Sequence, residues 1–320
     1  MRRKTIGLFY FLILVGLPGY VFAQNQPLYE QYHFNQLVIN PAYAGSKNAF
    51  ETNFFVHRHS VNFTGAPSTE SFTAHLPVAN DKVGLGVKFY HDKIGVTNAS
   101  SFALDYAYRI HLNSNIVAAI GLEASVSTFS IDYTELDAFN DGDPAFDGKV
   151  DSYIKPNFGA GIYLHSDKFY FGFSSPTLLA NSDGSTTAND STYDDAFDNT
   201  ANIYGSAGAL IKVTDNFAFK PDMLFKKGEN IPSQLDININ LIFNNAFLIG
   251  TGYRTNSSFN FVAQYMFTSD NILQKHEAGL GYSYNTTFGN DAAFLSPSHE
   301  VFLVYRFHKN NTNIKNPRFF

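Results

Sequence analysis

Twelve charged side chains fall at alternate positions of otherwise apolar stretches: Lys88, Asp105, Arg109, Glu123, Lys155, Lys220, Asp222, Asp236, Arg254, Glu277, Glu300 and Arg306. Six are carboxylates and six are bases. Buried charges are costly unless paired and hydrogen-bonded, so this balance suits an ion-paired interior better than a pore of one sign or a catalytic dyad. The four Gly-x-Gly pairs, Gly84/Gly86, Gly159/Gly161, Gly250/Gly252 and Gly279/Gly281, lack the third glycine and following helix of a phosphate cradle. There is no Gly-x-Ser-x-Gly nucleophile elbow. The absence of cysteine removes thiol nucleophiles, Cys-ligated zinc or iron-sulfur and a lipid-anchored N-terminal Cys. His57 and His59 are the closest histidine pair and have no third metal ligand in reach. The stretch from Phe139 to Pro144, followed by Asp147, resembles calcium-loop chemistry without the spacing or terminal Glu of an EF-hand. A solvated acidic loop is the default reading there and calcium the sharper one. The expectation is a protein that is not an enzyme and holds no cofactor.

The acidic residues are concentrated. Between Thr128 and Asp151 seven face only Lys149, and Pro176 to Ala201 adds five with no base, so 12 of 28 acidic residues occupy 50 positions. Clustered charge steers an oppositely charged or cation-bridged partner. Asp141, Asp143, Asp147, Asp194 and Asp195 are therefore the candidate partner-contact residues. With a net charge of -6 and no basic patch, a nucleic-acid partner is not expected.

The elements that must position these residues repeat every second residue. In Gln234 to Phe243 the side chains of Leu235, Ile237, Ile239, Leu241 and Phe243 lie opposite Gln234, Asp236, Asn238 and Asn240, the pattern of a strand with one apolar and one polar face. Comparable alternation recurs along the chain, and with three less regular runs (Ala49 to His59, Ser68 to Pro77, Asn202 to Val213) the count is fourteen strands. A β-sandwich shows the same alternation. Loop length separates the two, because turns after even-numbered strands are short and six of the seven others are longer, as in an outer-membrane barrel with short periplasmic turns. Only 16% of residues are charged, against about 25% in soluble domains, and 33 Phe and 19 Tyr supply the apolar faces. The fold expected is all-β, a transmembrane antiparallel β-barrel of about 14 strands with an N-terminal periplasmic or plug segment.

Residues 1–23 read as a signal peptide: Arg2, Arg3 and Lys4, an apolar run from Ile6 to Leu17, and Val21-Phe22-Ala23 before the expected cleavage. Residues 24–46 form a latch or plug, 47–308 the barrel and 309–320 a C-terminal tail. Asn40-Pro41-Ala42-Tyr43-Ala44-Gly45 looks like a turn, since Pro41 fixes φ and Gly45 permits a positive φ. The aromatic and apolar residues around it, among them Tyr29, Tyr32, Phe34, Leu37 and Tyr43, argue against a free periplasmic tail. Tyr32, Phe34, Asn40, Pro41, Tyr43 and Gly45 are the candidate latch residues. All four Gly-x-Gly pairs take the inward phase of their strands, which leaves room for an inserted segment or eases curvature; if the first, Gly250 and Gly252 should contact the latch.

The opening QPLYEQYHFNQLVINPAYAGS (Gln26 to Ser46) resembles the signature of the PorP/SprF family of outer-membrane proteins of the type IX secretion and gliding machinery. Three further stretches are similar to that family: Gln234 to Arg254, His276 to Asn285, and the closing SPSHEVFLVYRF (Ser296 to Phe307). The resemblance implies an outer-membrane barrel without chemistry of its own. Its implied partners are a large secreted adhesin carrying a type IX C-terminal signal domain, periplasmic or peptidoglycan-linked secretion subunits, and outer-membrane lipid. An outer-membrane channel for small hydrophobic solutes is the alternative, and it requires an apolar path through the lumen.

Overall fold

The computed structural model describes residues 32–60, 65–135, 150–179, 201–228, 232–255, 258–271, 274–288 and 296–308. Two 3-10 turns, Gln36–Val38 and Pro41–Tyr43, precede the first strand. The strands are β1 (Phe50–Arg58), β2 (Ser68–Val78), β3 (Val83–Ile94), β4 (Thr97–His111), β5 (Ile116–Asp132), β6 (Val150–Ser166), β7 (Phe169–Ser175), β8 (Asn202–Ala209), β9 (Ile211–Thr214), β10 (Phe217–Gly228), β11 (Gln234–Phe243), β12 (Phe247–Arg254), β13 (Ser258–Asn271), β14 (Gln274–Thr287) and β15 (Ser298–His308). Each pairs antiparallel with its neighbour, and β1 pairs with β15 from Phe50↔Phe307 to Arg58↔His299, which closes the sheet. β8 and β9 both pair with β10 and form one strand broken at Leu210, whose side chain turns into the core while its N–H bonds the Lys168 carbonyl. The wall is therefore a closed barrel of fourteen strands.

The burial pattern is inside out. Outward residues are large and apolar: Leu104 and Tyr106 on β4, Ile120 and Leu122 on β5, Phe158 and Ile162 on β6, Phe171 and Phe173 on β7, and Leu280 and Leu303 on β14 and β15 are all exposed. Inward positions mix polar side chains with small or apolar ones such as Ala107, Ala119, Phe302 and Val304, and all twelve charges singled out by the alternation are buried inside. Only a lipid surround makes that arrangement favourable, since water would leave the apolar face unburied and hydrocarbon satisfies it. A closed barrel also pairs the backbone polar groups that hydrocarbon cannot solvate.

Two connections are shorter than hydrophobic alternation alone would draw them. Between β3 and β4 only Gly95 and Val96 remain, because the polar Asp92 and Lys93 pair with Ala99 and Asn98 instead of forming a long loop. Likewise β5 runs to Asp132 and β6 begins at Val150, so Asp132 and Asp151 belong to paired strands and the connection spans residues 133–149. Polar residues near a rim continue a ladder as readily as apolar ones, and alternation of hydrophobicity does not register them. Asp141, Asp143, Asp147, Asp194 and Asp195 lie outside the described residues.

Candidate functional site: the segment held inside the barrel

Residues 32–47 lie within the barrel, and Tyr32, Leu37, Ile39, Ala42, Tyr43 and Ala44 are each at most 2% exposed. The local fold follows from Asn40 and Pro41. Proline at the first position of the second 3-10 turn has a preset φ, and the Asn40 side chain caps the turn by accepting the Ala42 N–H at 3.0 Å. Gly45 then takes φ +75, turning the chain toward β1. A Cβ at Gly45 would press on the backbone of Gly84 and Pro77.

The wall accommodates this segment by omitting side chains. A Cβ at Gly84 would overlap the Ala44 carbonyl, one at Gly121 the main chain of Pro41 and Ala42, and one at Gly161 the Asn40 side-chain oxygen. Gly172 adjoins the Asn40 amide nitrogen, and Gly86 adjoins Leu37. The remaining inward glycines serve the wall itself. Gly250 faces Asn240, Gly252 faces Asn238 and Asn260, Gly279 faces Met266, and Gly281 lies under the ring of Phe302. Gly250 and Gly252 are expected to contact the latch; the nearest neighbours of both are instead side chains of adjacent strands, Asn240 and Val262 at Gly250 and Asn238 and Asn260 at Gly252.

Hydrogen bonds tie the segment to strands around the barrel. Asn35 donates to Thr73 Oγ1 at 2.9 Å, Gln36 to the Tyr170 hydroxyl at 2.9 Å and Asn40 to the Ile162 carbonyl at 3.0 Å. Asn238 donates to the Tyr32 hydroxyl at 2.7 Å, and Ser174 to the Ile39 carbonyl at 2.6 Å. The Gly45 N–H donates to His75 Nδ1 at 3.1 Å. Phe34 stacks on Phe302, which stacks on Phe55. Tyr43 meets His75 and Tyr163 edge-on.

Lumenal charges form clusters, and three of these also hold the segment, the one at the closing seam through His75. Lys88 pairs with Glu123 at 2.7 Å and Asp105 at 3.2 Å while donating to the Leu37 carbonyl at 3.2 Å. Lys220 pairs with Asp222 at 3.1 Å and donates to the His33 carbonyl at 3.2 Å. Asp222 in turn accepts from the Tyr170 hydroxyl at 2.9 Å. At the closing seam Arg306 bonds Glu51 and lies 3.6 Å from Glu277, and Glu51 lies 3.4 Å from His75. Arg254 grips Asp236 with Nε and Nη2, the nearer contact at 2.8 Å. Burial, reinforced by Asp236 and Asp222, raises the Tyr32 phenol well above its ordinary range; burial and Arg306 lower the Lys47 ammonium well below its own.

All six candidate latch residues thus come together inside the barrel: Tyr32, Phe34, Asn40, Pro41, Tyr43 and Gly45. The partners that alternation missed are Glu51, His75, Gly121 and Gly172. Adjacent Phe54 and Phe55 blur the phase of β1, His75 carries no obligatory charge, and Gly121 and Gly172 lie outside any Gly-x-Gly pair. Their inward phase on β5 and β7 was the usable signal. Among the described residues no three His, Asp or Glu side chains group as a metal site.

A family model described as type IX secretion system membrane protein PorP/SprF matches residues 21–305. Among solved structures the chain is similar to the CymD monoaromatic hydrocarbon channel at 10% identity and a TM-score of 0.48, over 92% of this chain and 96% of that one. It is similar to the Pseudomonas putida toluene transporter TodX at 9% identity and 0.45, over 92% and 98%, and to the Acinetobacter baumannii outer membrane protein Omp33 at 9% and 0.41, over 82% and 99%. No curated protein matches the sequence.

Proposed function

The chain belongs to the PorP/SprF family of type IX secretion system membrane proteins, and from that premise we propose that it is a non-enzymatic outer-membrane barrel supporting the export, surface display or anchoring of a cognate large secreted adhesin. The observation that carries this reading, beside the family, is a segment of the chain itself seated in the lumen, its backbone against Gly84 and Gly121 and its Asn40 side chain against Gly161. A barrel so filled suits holding a partner better than passing a freely diffusing solute. The alternative, a channel for small hydrophobic solutes, needs a continuous apolar path, whereas the described inner wall interrupts its apolar residues with the twelve buried charges that the alternation singled out and has residues 32–47 lying across it.

In this reading the partners are an adhesin with a type IX C-terminal signal domain at the outer rim and periplasmic or peptidoglycan-linked subunits at the other. Asp141, Asp143, Asp147, Asp194 and Asp195 would meet the adhesin by charge steering or through bridging calcium. The test is to delete the gene and measure adhesin on the cell surface and in the medium. The expected result is loss of display of one or a few adhesins while general export continues. Normal display refutes the partner role, and loss of all exported cargo moves the protein into the core machinery. Changing Asp141, Asp143 and Asp147 to Asn should weaken adhesin retention without altering barrel folding.

A further inference from the structure

His33 belongs to the inserted segment and is 4% exposed, and neither ring nitrogen has a hydrogen-bond partner among the described residues. Tyr32 meets its ring edge-on at 5.6 Å and Phe34 lies against it at 4.2 Å. The charged group facing it is Lys220 of β10, which bonds the His33 carbonyl, lies over the Phe34 ring and has Asp222 as its own counter-ion. β11 presents Asn238, bonded to Tyr32, and β15 presents Phe302, stacked on Phe34. Among the described residues no carboxylate pairs with the imidazole.

We propose that His33 makes the seating of residues 32–47 acid-sensitive. A proton on this ring sets a second cation beside Lys220 where no acceptor waits, and the segment leaves its cradle to hydrate it. Burial, with Lys220 adding to it, holds the seated imidazole neutral well below the ordinary histidine range, whereas a released one titrates near about 6.5. The released state therefore binds the extra proton, so seating is full above about pH 6.5 and weakens as pH falls. From this one proton the released fraction at pH 5.0 exceeds that at pH 7.5 by about 30-fold. Tyr32 and Tyr43, both raised by burial, stay neutral in this range. Lys47 is the rival group, since it too is lowered by burial and lies on the same segment.

The chain has no cysteine, so Leu37→Cys, at a fully buried position, places a unique thiol on the segment. Its labelling rate in the full-length protein in liposomes is measured at pH 7.5 and 5.0. Each rate is normalised to the same thiol in the unfolded chain, and only protein that keeps folded mobility on an unheated gel is scored. The expected rise is about 30-fold with His33 present and less than about threefold with His33→Gln. An equal rise in the Gln variant would assign the effect to Lys47 or another group and overturn the proposal. A flat rate with His33 present overturns it as well.

Discussion

At Gly121 a methyl group would collide with the main chain of Ala42, which has no flexible end to move aside. Gly205 faces the other way, and an added Cβ there meets nothing within 4 Å. Gly121→Val should therefore unseat residues 36–44, with amide exchange there faster by about tenfold or more, in keeping with about 1–3 kcal/mol of overpacking. Gly205→Val should leave exchange unchanged. Equal behaviour of the two variants would dissociate the segment from this wall. A second residue-scale prediction concerns the turn from β2 to β3, where Ala79, Asn80 and Asp81 have φ of 52, 56 and 64. Asn and Asp tolerate this region, whereas Ala carries the Cβ penalty, so Ala79→Gly should stabilise the barrel by about 1 kcal/mol, seen as a later urea midpoint. Residue identity foretold Pro41 and Gly45 because each restricts or frees φ by itself. Gly121 was only half legible for the opposite reason: its inward phase could be read, but a missing side chain has meaning only once the surface it faces is known.

At the scale of elements the strands were readable because each must present an apolar face to lipid, and Gln234 to Phe243 was found to the residue. Breaks in pairing were not. The split at Leu210 is set by a carbonyl on another element, Lys168, and the long β3–β4 hairpin by Asp92 and Lys93 finding partners across the strand. The closing seam between β1 and β15 depends on a similar non-local fact, since Glu51 is completely buried and its cation, Arg306, comes from the far end of the chain. Arg306→Met should destabilise the barrel by about 3–5 kcal/mol, because Glu51 and Glu277 are then left buried without it. The double variant Glu51→Gln with Arg306→Met should recover part of that loss. Urea unfolding in detergent followed by circular dichroism gives both values; additive losses would show that the two side chains act separately.

For the whole molecule, membership of the PorP/SprF family and a barrel with a lipid-compatible exterior place the chain in the outer membrane. The inserted segment crosses the barrel lumen. Between Tyr32 and Asn48 that segment contacts walls on opposite sides, from His75, Lys88 and Gly121 to Asn238 and Phe302. Such contacts span the lumen, so the intact protein in a planar bilayer should show little conductance at neutral pH. Deleting Tyr32 to Ser46 keeps every strand and removes the contents, and steady conductance should appear. Its ion preference should be weak, because the inner wall carries carboxylates and bases in comparable number, several already paired as in Lys88 with Glu123 and Arg254 with Asp236. Strong selectivity for one sign would mean that the pairs separate when the segment goes. An equally silent deletion variant, folded by its gel mobility, would mean that the segment is not what closes the lumen.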